Sequence, residues 1–204
     1  DSRATTSFYQ IITDNLTSDS GNFKWGITTN HSYLPLDNSE FFNKNISLVD
    51  WLRNWAKTEE EREEVYLRGF LGKMIFSGEE ALKKCTVLSG GEKVRCMLSK
   101  MMMKKGNVLI LDEPTNHLDI RHQLEILELI KDLPITIVTS LHDLNMAADI
   151  CDEVVILKDG HLKGSGVPEA VFSAEAISGT FEVAASYERL APSDKNLLTF
   201  NLKK

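Results

Sequence analysis

The segment Asn107-Val108-Leu109-Ile110-Leu111-Asp112-Glu113-Pro114 limits the possible folds more than any other part of this chain. Four consecutive apolar residues without polar alternation describe a strand buried on both faces, as strands are in parallel sheets. A parallel neighbour requires a crossover of a dozen or more residues, usually a helix. The flanking sequence supplies such helices. Val94, Leu98, Met101 and Met102 recur at helical spacing after Gly91, and Ile120, Leu124, Ile126, Leu127 and Ile130 do so over 120–131. A strand over 135–138, a helix over 144–150 and a strand over 154–157 follow, the last closing on the turn Lys158-Asp159-Gly160. This alternation predicts βαβ units and an α/β fold around a parallel sheet.

The flanks read less clearly. Two short strands are expected between 23 and 33, with turns at Gly21-Asn22 and Thr29-Asn30. Leu48, Trp51, Leu52 and Trp55, then Val65, Tyr66 and Phe70, predict two helices over 48–72, the second opening on a solvated face of Glu59, Glu60, Glu61, Glu63 and Glu64. Lys100, Lys104 and Lys105 suit the negative end of a helix, and Met101 to Met103 fill core space. Gly164-Ser165-Gly166 reads as a plain turn, 168–179 as one or two short helices, and 181–204 as a hairpin or a frayed tail.

Composition bounds the function. At 204 residues and 23.0 kDa the chain is one large domain or two small ones, long enough to hide roughly 70% of its unfolded surface without disulfides or a structural metal. With 30 acidic residues against 23 Lys plus Arg, a chain of net charge -7 does not as a whole attract polyanions or anionic lipid, which leaves room for a local basic patch. No apolar run approaches the ~20 residues of a membrane span, and residues 1–6 show no export signal. Three cysteines, an odd number without CxxC spacing, point to reduced thiols in the cytoplasm.

The carboxyl end of a parallel strand is where open α/β sheets bind ligands. Asp112 and Glu113 stand there: one carboxylate able to hold Mg²⁺, the other to orient or deprotonate a water attacking a phosphate. An Asp-Glu pair at a strand end also serves as a helix cap. Upstream, Leu88-Ser89-Gly90-Gly91-Glu92 opens an amphipathic helix, an arrangement that is either an anion site or an ordinary cap. Downstream come Pro114-Thr115-Asn116-His117-Leu118-Asp119 and, beyond the next strand, His142, within reach of a terminal phosphate if the fold brings it there.

Together, LSGGE, LILDEP, NHLD and the later histidine closely resemble the nucleotide-binding domain of ABC ATPases, over residues 5 to about 181. The resemblance implies a P-loop NTPase-like fold and one domain over 1–204: a helical subdomain over 40–104, an α/β core over 105–181 and a C-terminal tail over 182–204. It implies ATP and Mg²⁺ as cofactors. By it, Asp112 holds the metal, Glu113 is the general base and His142 the switch histidine. Ser89, Gly90, Gly91 and Glu92 belong to the loop facing nucleotide held by a second ABC ATPase domain, Thr5 and Thr6 end the phosphate loop, and Asp119 lies in the dimer-crossing loop.

Residues 5–118, with the stretches FKWGITTN, SYLPLDNSEFF and NVLILDEPTNHLD, look like the second ATPase domain of ABC-F proteins, many of which act on ribosomes. Residues 121–181, with HQLEILELI and TSLHDLNMAADICDEVVILKDGHLKGSG, look like ATPase subunits of iron-siderophore or cobalamin importers, which dock on membrane permeases at the inner face of the membrane. A chimera joined between Asp119 and Gln123 is therefore expected. Two departures accompany the resemblance. Ala4-Thr5-Thr6 stands in register with the family's Lys-Thr-Thr, but the GxxxxGK lysine and glycines, and the strands leading to them, are not among these residues. Weak or no ATPase activity is the expectation. The glutamine expected just after Tyr33 is also missing, with His31 and Leu36 in its neighbourhood.

Overall fold

The computed structural model of the protein describes residues 2–190 and 195–202. Its contacts divide the chain into two compact units, Asp1–Ser140 and Leu141–Lys204.

The first unit is built on three parallel strands in the order β1 (His31–Leu34), β2 (Val108–Leu111), β3 (Thr136–Thr139). The register pairs Tyr33 with Ile110 and Ile110 with Val138. Side chains alternate across a strand, so Tyr33, Val108, Ile110 and Val138 share one face. They form a cluster with Tyr9 and Ile12 of the amphipathic helix α1 (Ser2–Ile12), and with Trp25. All four residues of β2 are buried, as an uninterrupted apolar run requires.

Helices α2 (Leu48–Arg53), α3 (Glu59–Arg62), α4 (Glu64–Lys73) and α5 (Gly90–Met103) lie between β1 and β2. Leu48, Leu52, Leu67, Leu71 and Leu98 are fully buried where α2, α4 and α5 pack together, and burial of each such leucine contributes about 1.5 to 3 kcal/mol. Met101 and Met103 are core residues. The helix α6 (Ile120–Lys131) joins β2 to β3 and buries Ile126, Leu127 and Ile130.

Several expectations need correction. The two strands between 23 and 33 reduce to β1 alone, because 23–28 pairs with no strand. The side chain of Asn107 holds the junction between that segment and β1, accepting from the Asn30 N–H at 2.8 Å and donating to the Thr28 carbonyl at 2.9 Å. The two helices over 48–72 are three, since Thr58 caps a separate single turn, α3, which ends at Glu63. Val65 points outward at 85% exposure, and Leu67 and Leu71 carry the buried face. Lys100 stands in the last turn of α5 as expected, but it is buried with its ammonium over the rings of Phe41 and Trp55.

In the second unit, α7 (Leu144–Ile150) precedes an antiparallel pair, β4 (Val154–Lys158) and β5 (His161–Gly166). The strand and helix alternation predicts that β4 continues the parallel sheet, but β4 pairs antiparallel with β5. The cause is Asp159-Gly160, both at positive φ (53° and 71°), the sequence and conformation of a tight hairpin turn. Gly164-Ser165-Gly166 accordingly lies within β5 and is not a turn, and a Cβ at Gly164 would sit 3.2 Å from Val171 of α8 (Pro168–Val171). After α9 (Ala174–Phe181) comes the hairpin β6 (Val183–Leu190) and β7 (Lys195–Leu202). The expected tail over 182–204 is thus a hairpin where described; 191–194 and 203–204 lie outside the described residues. Ala147, Val154, Ile156, Val171, Phe172, Ile177 and Leu198 form this unit's core.

Candidate functional site

The alternation that buries Val108 and Ile110 beneath α1 places Asp112 at the end of the same row. The Asp112 N–H continues the ladder by donating to the Leu34 carbonyl at 3.0 Å, and its side chain is fully buried. Three hydroxyls meet the carboxylate: Thr6 donates to Oδ2 at 2.7 Å, Tyr33 to Oδ2 at 3.3 Å and Ser140 to Oδ1 at 3.3 Å. Burial, and then the adjacent Asp112 charge, push the Tyr33 hydroxyl above its ordinary range, so Tyr33 remains a donor. Asp112 is therefore not a helix cap.

A buried carboxylate surrounded by hydroxyls is a set of hard oxygen donors, the chemistry Mg²⁺ prefers. Asp112 and Thr6 are the residues that would hold such an ion, which would neutralise the buried charge and polarise phosphate oxygens. Glu113 is 6% exposed and adopts a left-handed backbone, φ 48°. Its N–H donates to Ser140 Oγ at 2.9 Å and its carbonyl accepts from the Asn116 N–H at 3.0 Å. His117, at φ 58°, is a second left-handed residue in the same turn.

A groove of about 340 Å³ opens beside these carboxylates. Leu36, Asp37 and Asn38 from the segment after β1 line it, as do Gly90 and Lys93 of α5 and Asn116 and His117. The Ser39 N–H holds the Asp37 carboxyl below its usual range. At the place of the expected glutamine, Leu36 faces the groove, whereas His31 stacks on Trp25 at 5.2 Å between ring centroids.

Ser89 caps α5 in a reciprocal box: its hydroxyl accepts from the Glu92 N–H, and Glu92 Oε2 accepts from the Ser89 N–H at 2.8 Å. Glu92 Oε1 also pairs with Lys83 at 2.7 Å, so both its oxygens have partners within the chain. Asp119 caps α6, with Oδ1 accepting from the His122 N–H at 3.0 Å and Oδ2 2.6 Å from His122 Nδ1. The two helix starts touch. A Cβ on Gly91 would lie 2.9 Å from the His122 ring, and one on Gly90 3.0 Å from Leu118.

The structure thus gathers Thr6, Asp112 and Glu113 at one place and seats Ser89, Gly90 and Gly91 against the segment containing Asp119. Thr5 is half-buried in α1 beside Thr6. His142 belongs to the second unit, where it is exposed and immediately precedes Asp143, the cap of α7. Sequence reasoning missed Tyr33, Ser140 and His122. The period-2 alternation from Asp112 would have found the first two once the strand register was known.

These features define a P-loop NTPase-like α/β domain with an acidic strand end. A family model described as "ABC transporter" matches residues 5–116, more than half of the chain. The chain belongs to the ABC transporter ATPase family. It is 58% identical over 118 residues to the ABC transporter ATP-binding protein YkpA of Bacillus subtilis (strain 168), a match covering 57% of this chain and 22% of that protein. It is 45% identical over 100 residues to the petrobactin import ATP-binding protein FpuC of Bacillus anthracis, covering 47% of this chain and 37% of that one. The chain therefore spans well under half the length of either. An inward-facing metal-chelate type ABC transporter shares its fold, with a TM-score of 0.79 at 15% identity over 97% of this chain and 82% of that one.

Proposed function

We propose that this chain binds ATP with Mg²⁺ as part of an ABC importer's ATPase, in the cytoplasm, paired with a second ABC ATPase domain against a membrane permease. Both units would belong to one nucleotide-binding domain. In this reading Asp112 and Thr6 hold Mg²⁺, Thr5 adjoins the phosphates, Glu113 is the general base and His142 contacts the terminal phosphate. Ser89, Gly90 and Gly91 face nucleotide on the partner domain, with Glu92 fixing the shape of that loop and Asp119 crossing the dimer. The single observation that carries the reading is the buried Asp112 carboxylate, 2.7 Å from the Thr6 hydroxyl and next to Glu113.

The 204 residues contain no GxxxxGK sequence, so we expect a polypeptide of these residues to turn over ATP near background by itself, as a non-catalytic fragment would. Equilibrium binding of a fluorescent ATP analogue, with and without Mg²⁺, tests the reading. Mg²⁺-dependent binding weakened by Asp112→Asn supports it, and binding indifferent to both would sink it. The likeness of residues 5–118 to ABC-F domains favours a second reading, action on the ribosome with another ATPase domain. Co-sedimentation with ribosomes in the presence of ATP distinguishes it from binding to permease-containing vesicles.

A further inference from the structure

The end of β3 carries a hydroxyl that serves both carboxylate residues at once. The Ser140 N–H donates to the Leu111 carbonyl at 3.1 Å, one step beyond the last register pair, Leu111 with Thr139. Ser140 therefore stands beside Asp112 on the same face of the sheet. Its Oγ donates to Asp112 Oδ1 at 3.3 Å and accepts from the Glu113 N–H at 2.9 Å. A hydroxyl has one donor and two acceptor lone pairs, so both bonds form together.

The two bonds act on two different weaknesses of the strand end. Asp112 is fully buried, and with Thr6 and Tyr33 both on Oδ2, Ser140 is the hydroxyl that fixes Oδ1 and hence the plane of the carboxylate. Glu113 sits at φ 48°, a conformation that a residue with a Cβ keeps only where its surroundings hold it. Its N–H is anchored by Ser140, its carbonyl by Asn116. Ser140 is also the last residue of the first unit, two positions before His142 in sequence.

We infer that Ser140 is a positioning residue for the paired carboxylates, one hydroxyl setting both the orientation of Asp112 and the left-handed turn at Glu113. The inference rests on the proposed reading of Asp112 as a cation ligand, so its test has one arm with a cation and one without. On the full chain, amide hydrogen exchange by NMR reads the Glu113 N–H, and electron paramagnetic resonance reads Mn²⁺ uptake in the presence of ATP. In Ser140→Ala the Glu113 amide should exchange roughly threefold to tenfold faster, the loss expected for one hydrogen bond, while amides inside β2 keep their protection. Mn²⁺ should bind more weakly by a similar factor. Ser140→Thr, which keeps the hydroxyl, should restore both, and a packing role alone would give no such rescue.

An unchanged Glu113 amide in a folded Ser140→Ala chain overturns the inference, as does Mn²⁺ affinity equal to that of the parent. If the parent chain takes up no Mn²⁺, the cation reading of Asp112 fails, and the amide comparison still decides the role of Ser140. Should Ser140→Ala not fold, Ser140→Cys, similar in size but a poor hydrogen-bonding group, should show the same faster exchange. Its failure to do so equally overturns the inference.

Discussion

The ammonium of Lys100 lies 3.7 Å from the centroid of the Trp55 ring and 4.1 Å from that of Phe41, in a side chain only 6% exposed. Ring faces attract a cation but replace little of its lost hydration. Burial first, then the neighbouring charge of Lys104, pull its pKa down to about 8, with Glu40 acting in the opposite sense. An unfolded lysine titrates near ~10.4, so between pH 8 and 10 the unfolded chain holds more protons than the folded one and stability rises with pH. Below about pH 8 both forms are protonated and the full penalty stands. Chemical unfolding of the parent and of Lys100→Met across pH 7 to 10 should therefore show the parent gaining stability relative to the variant. Parallel pH profiles would refute this. A second residue-scale expectation concerns Thr6. Thr6→Val keeps the shape of α1 but removes the 2.7 Å bond to buried Asp112, which should destabilise the chain by about 1 to 3 kcal/mol. Denaturant midpoints measure it, and no change would mean that the carboxylate finds another donor.

At the scale of elements, the start of α5 is fixed twice, by its own cap and by its neighbour α6. Ser89→Ala removes the hydroxyl of the capping box and should cost about 1 kcal/mol. Gly91→Ala places a methyl 2.9 Å from the His122 ring and should cost about 1 to 3 kcal/mol. Adding His122→Ala should relieve part of that cost, because residues in contact do not add independently. A purely additive double mutant would show that the two helix starts do not lean on each other. The same elements indicate what was legible in the sequence. The strand β2, the helix α7 and the capped start of α5 were readable because each carries its own periodicity and punctuation: an unbroken apolar run, a 3.6-residue spacing, a Ser-Gly-Gly before the first turn. Asp112, Glu113 and Ser89 followed from them. The segment 23–28 misled because its composition suits a strand, whereas forming one depends on a partner strand, and 23–28 pairs with none. Val65 misled because apolar spacing does not say which side of α4 meets the core. Tyr33 and Ser140 were unreadable for a different reason: a tyrosine and a serine at strand ends carry no signal until the register aligns them with Asp112.

At the scale of the whole molecule, the proposed reading shares each ATP between two domains, since the family's Ser-Gly-Gly loop faces nucleotide held on the partner's phosphate loop. These 204 residues have the Ser-Gly-Gly loop and the paired carboxylates but no GxxxxGK sequence. In a mixture with an ABC ATPase domain whose phosphate loop is complete, this chain would finish the partner's site through Ser89, Gly90 and Gly91. In a polypeptide limited to these 204 residues, the site carrying Asp112 and Glu113 has no GxxxxGK cradle to position the phosphates, and preorganised donors of that kind are worth on the order of 10²- to 10³-fold in rate each. ATP hydrolysis should therefore appear on mixing, at one site per pair. Ser89→Arg, which puts bulk and charge into the exposed loop and removes the cap hydroxyl, should reduce it sharply, and circular dichroism would check that α5 remains folded. Glu113→Gln should change it little. If this chain performs its own chemistry, the ranking reverses, because a general base then matters more than a loop that faces another site. Phosphate release measured for the two variants in the same mixture decides between the two arrangements, and a larger loss in Glu113→Gln would mean that Glu113 works on nucleotide bound by this chain.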